Sequence, residues 1–317
     1  MSEEYLWDRS GHPDPEIQLL ERILGRFGHR PALPSKSFRP SLWIGSAAAV
    51  MLIGCGIFFL IHRKPWGEPR PVSGYPVVPL AGEARIESAG GSRLADEALP
   101  GEVIETGEGG EARLVVGSIG EVFLQERSRM KVIDCGDASH RLHLERGAIR
   151  ASIFAAPRIF QVGTPAAIAV DLGCVYRLTV DGSGITQLEV EIGRVSFEVR
   201  ERTVVVPAGA VCRAFPDRGL GLPVRADAPA RLREAVSAIE RSASDDAALR
   251  SCLDVAGDRD TLTLWHLLPV VPPQKRGSVF DRMNELSPAP SGITREACVA
   301  LDAASLDAWR RDLSSRW

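Results

Sequence analysis

The chain has 317 residues, 44% of them hydrophobic and 25% charged, with a formal net charge of −3, so no strong field favours nucleic acid or anionic lipid as a partner. That length leaves room for about two soluble domains beside a membrane segment. With 22 Pro, 30 Gly and few aromatics it suits a turn-rich β region better than a large aromatic core. Its six cysteines contain no CxxC, which excludes a zinc ribbon or a thioredoxin-type motif.

Residues 1–40 hold one helical signal. Asp14, Pro15 and Glu16 suit the N-cap and first turn of a helix. Ile17, Leu20, Ile23, Leu24 and Phe27 follow as an amphipathic stripe, and Gly28, Pro31 and Pro34 end it. One helix of about 13 residues has no core of its own. Its apolar side either rests on lipid or docks a cytoplasmic partner through Leu6, Trp7, Ile17, Leu20 and Leu24.

Leu42 to Ile61 reads LWIGSAAAVMLIGCGIFFLI, without a charge or a proline. About 20 residues at ~1.5 Å rise cover the ~30 Å of bilayer hydrocarbon, and a lipid-facing segment must satisfy its own backbone. The sequence therefore predicts one transmembrane helix within residues 41–62, anchored in the bilayer by residues 42–61. A cleaved signal peptide would begin nearer the N-terminus, with an apolar core of about 7–15 residues. Leu52-Ile53-Gly54-Cys55 resembles a lipoprotein cleavage box, but the apolar run continues to Ile61, so Cys55 reads as a small membrane-helix residue. Arg22, Arg26, Arg30, Lys36 and Arg39 precede the span with no acid among them, whereas Arg63, Lys64 and Arg70 follow it beside Glu68. That bias places the N-terminus in the cytoplasm and residues 63–317 outside it, a single-pass arrangement in the inner (cytoplasmic) membrane. Residues 63–79, rich in Pro and Gly, read as a semi-extended spacer.

From Leu80 to about Arg225 the period becomes two. Glu111–Val116, Glu121–Gln125, Leu142–Glu145, Tyr176–Val180, Gln187–Ile192 and Val195–Val199 alternate apolar with polar residues and are bounded by Gly, Pro, Asp or Ser. No helical pattern intervenes, which excludes βαβ architecture and predicts an all-β domain over residues 80–225, either a stacked coil of short strands (a β-solenoid) or a β-sandwich. Gly101, Gly120, Gly147, Gly173, Gly193 and Gly209 punctuate the turns, and Asp181-Gly182-Ser183-Gly184 reads as a hairpin tip.

Within this stretch the chain resembles a family. Pro100-Gly101-Glu102-Val103-Ile104-Glu105-Thr106, Glu111-Ala112-Arg113-Leu114 and Gly120-Glu121-Val122-Phe123-Leu124 look like the opening of a FecR-type domain, the extracytoplasmic module of regulators of sigma factors. Leu144–Ile149, Phe160–Pro165, Leu172–Tyr176, Glu191–Val195 and Val206–Gly209 resemble its later landmarks in the same order. The resemblance implies a one-helix membrane protein with this module outside, a solenoid-like coil over a sandwich, and a signalling or structural role without catalysis. Two departures stand out: the family's Thr in its "G-T-x-F" landmark is Cys174 here, and the C-terminal signalling module of classical members is not visible. Cys174 and Cys212 each sit near one of the late landmarks. In an oxidising compartment their disulfide would close a loop of about 39 residues and stabilise by ~3–4 kcal/mol, with Cys135 a competing partner. The alternative is two separate buried thiols.

Residues 226–317 turn helical. Asp227, Asp245, Asp260, Ser278, Thr294 and Ser305 read as starts of five or six helices of about 8–15 residues. They form either a small helical domain capping the β region or a partner-binding array using Trp265, Phe280 and Trp309. His140 and His143 fall on opposite faces of a strand, and no set of residues can be given catalytic, metal or cofactor roles. The expected function is a single-pass signalling protein of FecR type, with a sigma factor or other cytoplasmic partner and an unknown extracytoplasmic protein or ligand. The alternative is an envelope-anchored structural or ligand- or glycan-binding protein without a sigma-factor partner.

Overall fold

The computed structural model of the chain describes residues 74–136, 138–314 and 317. The membrane-helix expectation at Leu42–Ile61 and the docking residues Leu6, Trp7, Ile17, Leu20 and Leu24 lie outside the described residues. Among the described residues, no helix is long and apolar enough to cross a membrane.

The strands run in chain order as β1 (Tyr75–Ala81), β2 (Ala84–Ser88), β3 (Gly91–Leu94), β4 (Glu97–Ala98), β5 (Val103–Thr106), β6 (Glu111–Val116), β7 (Gly120–Leu124), β8 (Arg129–Gly136) and β9 (Ser139–Ile153). They continue as β10 (Phe160–Gly163), β11 (Ile168–Asp171), β12 (Cys174–Val180), β13 (Thr186–Ile192), β14 (Arg194–Val199), β15 (Arg202–Pro207), β16 (Ala210–Phe215), β17 (Gly219–Leu220) and β18 (Val224–Arg225). The helices follow as α1 (Ala230–Arg241), α2 (Asp246–Val255), α3 (Thr261–Leu267), α4 (Pro273–Leu286), α5 (Arg295–Val299) and α6 (Ala303–Leu313). The molecule is thus mainly β with a C-terminal helical region.

Two sheets hold all the strands but β4, which pairs only with Tyr75 and Pro76 at the start of β1. In the first, β1, β6, β7, the second half of β9, β12, β13 and β16 lie side by side, with β17 and β18 both on β16. In the second the order is β3, β2, β5, β8, the first half of β9, β10, β11, β14 and β15. Alternation decides which side chains go inside. On β6, Ala112, Leu114 and Val116 are buried while Glu111 is exposed. On β9, His140, Leu142 and Leu144 point inward between Arg141 and His143. One continuous core joins Leu114, Ile149 and Leu188 of the first sheet to Ile104, Phe160 and Phe197 of the second, so the sheets form a sandwich. The mainly β expectation holds for residues 80–225; among the described ladders only β9 with β10 is parallel, whereas the stacked coils of the expected solenoid would pair in parallel.

β9 ties the halves together. Residues 139–146 pair with β8 and residues 147–153 with β7 and β12, so the strand leaves one sheet and enters the other at Gly147. Gly147 has φ +91°, and a Cβ there would lie 2.4 Å from the Ser128 Cα. The Ser128 hydroxyl closes the corner by accepting from the Ala148 N–H and donating to the Ala148 carbonyl, both at 3.0 Å. On the outer face of the second sheet Arg129 bonds Glu87 at 2.6 Å, Glu105 at 3.1 Å and Glu145 at 2.8 Å, a cross-strand ion network that supports the register.

Several local expectations need correction. β1 begins at Tyr75, so the spacer expected over residues 63–79 gives way to a strand over its last five residues. Val77 is buried and pairs with Leu114, which explains why an extended Pro-rich segment joins the sheet at its edge. Asp181 does form a hairpin tip, its carboxylate accepting from the Ser183 and Ile185 N–H groups. Asp245 caps α2 and Thr294 caps α5 through their side chains. Helix α4, however, starts at Pro273 and carries Ser278 in its interior, while Asp302 rather than Ser305 caps α6.

Candidate functional site

The sequence-derived candidates separate in space. Cys174 lies opposite Ile153 on β12; Cys212 on β16 lies opposite Leu188, which itself faces Leu178 of β12. The two cysteines are therefore two strands across and four residues along from each other, about 16 Å apart on ordinary sheet spacings and well beyond the ~7 Å a disulfide spans. Both are free, buried thiols, so the expected disulfide is not formed. Burial and the neighbouring Asp171 carboxylate push the Cys174 thiol pKa up, and burial does the same for Cys212. Cys174 donates to Asp171, whose own carboxyl is raised by burial. Of the aromatics proposed as a partner surface, Trp309 and Phe280 are buried in the helical core, edge to face at 5.2 Å. His140 reaches the Tyr75 hydroxyl at 2.7 Å inside the sandwich. Among the described residues, no group of three or more His, Cys, Asp or Glu is placed to hold a metal ion.

Trp265 differs. It lines a cavity of about 260 Å³ between the outer face of β14 and β15 and the helices α3 and α6. The strands supply Arg194, Thr203, Val205 and Pro207, and Arg194 stands directly opposite Pro207 in the ladder. The period of two turns these residues away from the sandwich core, where Val204 and Val206 lie. Helix α3 supplies the adjacent Trp265 and His266, helix α6 supplies Asp307 and Arg310, and Trp317 completes the wall. The Trp265 and Trp317 rings are 6.1 Å apart, with His266 4.8 Å from Trp265 and 6.5 Å from Trp317. Trp317 is fixed by its indole N–H, which donates to the Thr261 hydroxyl at 3.1 Å.

The polar groups here are unevenly satisfied. Arg310 pairs with Asp307 at 3.3 Å. His266 is only 7% exposed, and burial, reinforced by the Arg202 and Arg310 charges, lowers its pKa to about 3, so it is neutral at physiological pH. The Trp265 Nε1–H is buried without an acceptor. Larger cavities occur elsewhere, but the one of about 330 Å³ beside α1 is lined by charges that already pair, Arg213 with Glu240.

Sequence reading singled out Trp265 but missed Arg194, Thr203, Val205, Arg310 and Trp317 as its neighbours. One signal was present. Thr203-Val204-Val205-Val206 places an apolar residue on a face that should be polar, which marks a strand covered on both sides.

No curated protein matches this chain. Two solved structures of a candidate anti-sigma factor from Parabacteroides distasonis are similar to it. One is 17% identical and covers 42% of this chain and 63% of its own, with a TM-score of 0.35. The other is 15% identical and covers 48% and 73%, also with a TM-score of 0.35. This chain therefore spans under two thirds of the first of them. Residues 102–196, from the start of β5 into β14, match the model of the family described as FecR protein.

Proposed function

We propose that the chain is a single-pass regulator of FecR type in the cytoplasmic membrane, acting by binding rather than by catalysis. The observation that carries this is the order of parts: the FecR match over residues 102–196 follows a charge-free apolar run at Leu42–Ile61. Residues 1–40 then lie in the cytoplasm, where Leu6, Trp7, Ile17, Leu20 and Leu24 dock a sigma factor, and the sandwich and helices lie outside. Two measurements on the full chain test it. Reporter fusions should show a cytoplasmic reporter active at Met1 and a phosphatase active only outside the cytoplasm at Trp317; the reverse pattern overturns the topology. The detergent-solubilised protein should co-purify a sigma factor identified by mass spectrometry, and Leu20→Asp should abolish that capture. Equal capture by the variant overturns the docking role.

A further inference from the structure

We propose that the cavity between β14, β15, α3 and α6 binds a small planar aromatic carboxylate. This inference stands on the cavity alone and is independent of membrane topology and of any sigma factor. Only Arg194 of the lining residues falls within the stretch that matches the FecR model.

Shape and lining set the size and flatness of the ligand. At about 260 Å³ the space is smaller than the ~300–1,000 Å³ that drug-sized molecules occupy, so it suits roughly ten heavy atoms. Its walls include the rings of Trp265, Trp317 and His266 and the apolar side chains of Val205 and Pro207. Two indoles inclined at 59° with centroids 6.1 Å apart offer one ring stacking and edge contacts together.

Charge sets its polarity. Arg194 is exposed at the rim, with neither an ion pair nor a hydrogen bond among the described residues. Arg310 adds a second guanidinium that is engaged by Asp307 on one side. His266 makes no hydrogen bond to a described residue and, being neutral, has one ring N–H to donate. The groups left over are therefore mostly donors: a guanidinium, an imidazole N–H and the indole N–H of Trp265. A sugar of the same size would need several acceptors, whereas the lining offers the second His266 ring nitrogen and the Thr203 and Ser314 hydroxyls, its one side-chain carboxylate being already paired. A carboxylate held by Arg194, with its ring packed against the two inclined indoles, pairs the free guanidinium and fills the apolar walls.

The test is calorimetric titration of the detergent-solubilised full chain with 4-hydroxybenzoate, against 4-hydroxybenzamide, acetate and N-acetylglucosamine. The expected result is saturable one-to-one binding of 4-hydroxybenzoate, at least tenfold weaker for the amide and absent for acetate. Arg194 is exposed, so Arg194→Ala leaves the fold intact and should weaken binding at least tenfold. Val205→Glu, which places a like charge in the cavity, should abolish it while circular dichroism and the thermal midpoint stay unchanged. No saturable binding at millimolar concentration, equal binding by Arg194→Ala, or preference for N-acetylglucosamine would each overturn the proposal.

Discussion

His266 shows how one buried side chain shapes the behaviour of the whole molecule. An unfolded histidine titrates near ~6.5, whereas His266 in the fold titrates at about 3 because burial disfavours its charged form. Above pH ~6.5 neither state binds the proton. Below it only the unfolded state does, so stability falls as the pH drops from ~6.5 towards 3, by up to ~1.4 kcal/mol per unit. Asp171 works the other way, since burial raises its carboxyl and the fold retains a proton that the unfolded chain has lost. His266→Phe keeps an aromatic ring against Trp265 and Trp317 and leaves Asp171 untouched. Urea midpoints between pH 7 and pH 4 should therefore decline less steeply in the variant; an acid limb as steep as that of the parent would show that His266 is not the titrating group. The adjacency of Trp265 and His266 was visible in the sequence, but not their surroundings. Arg194, Val205 and Trp317 reach them from segments more than fifty residues away, and no local periodicity reports such a meeting.

At the scale of elements, the period of two was a faithful guide where a strand stays in one sheet. β6, β13 and β12 from Tyr176 onward bury alternate residues as the sequence pattern implies. It failed where a strand changes partners. The pattern through Leu142–Ile149 runs on without marking that β9 is fifteen residues long and serves both sheets. Gly147 read as a turn, since glycine in a strand and glycine in a loop look alike in sequence; the structure shows it as the bend of a continuous strand. Gly147→Ala should accordingly be severe. The new methyl meets the Ser128 backbone at 2.4 Å and φ stays at +91°. The expected loss is about 3–5 kcal/mol in chemical unfolding, against ~1–2 kcal/mol for Gly209→Ala, whose φ is also positive (+78°) but where a Cβ meets nothing within 4 Å. Equal losses at the two sites would show that the positive φ alone, and not the close approach to Ser128, sets the requirement. Helix starts divide on similar grounds. Asp245 and Thr294 cap as read, but Pro273 at the first turn of α4 outranks Ser278, whose hydroxyl turns back to the Lys275 carbonyl.

At the scale of the molecule, periodicity predicted a mainly β region followed by helices but not how the strands would pair. Solenoid and sandwich share the same alternation and differ only in long-range partners, which hydrogen-bond ladders reveal and a pattern does not. Several polar contacts cross the junction between the β and helical parts, among them Arg213 with the Ser237 hydroxyl at 2.8 Å and Arg218 with the Glu240 carbonyl at 3.3 Å. Glu240 of α1, its side chain 4% exposed, takes both the Arg213 guanidinium of β16 and the Leu222 N–H at 3.0 Å, and the Thr263 hydroxyl of α3 donates to the Pro223 carbonyl at 2.8 Å. Removing Glu240 leaves a backbone N–H without its acceptor and an arginine without its counter-charge. Losses of that kind are ~1–3 kcal/mol for a neutral group, more for a charged one. Because Glu240 belongs to the helical part and its partners to the β part, Glu240→Ala weakens their coupling more than it weakens either core. With Trp7, Trp43 and Trp66 replaced by Phe so that fluorescence reports only Trp265, Trp309 and Trp317 of the helical part, urea unfolding of Glu240→Ala should therefore separate into two transitions, the fluorescence change coming ahead of the β signal in circular dichroism. Glu234→Ala, on an exposed position of the same helix, should leave a single coincident transition. If both variants unfolded in one coincident step, the apolar contacts of Leu222 and Leu262 across the junction would suffice to couple the two parts, and Glu240 would serve only to satisfy its neighbours.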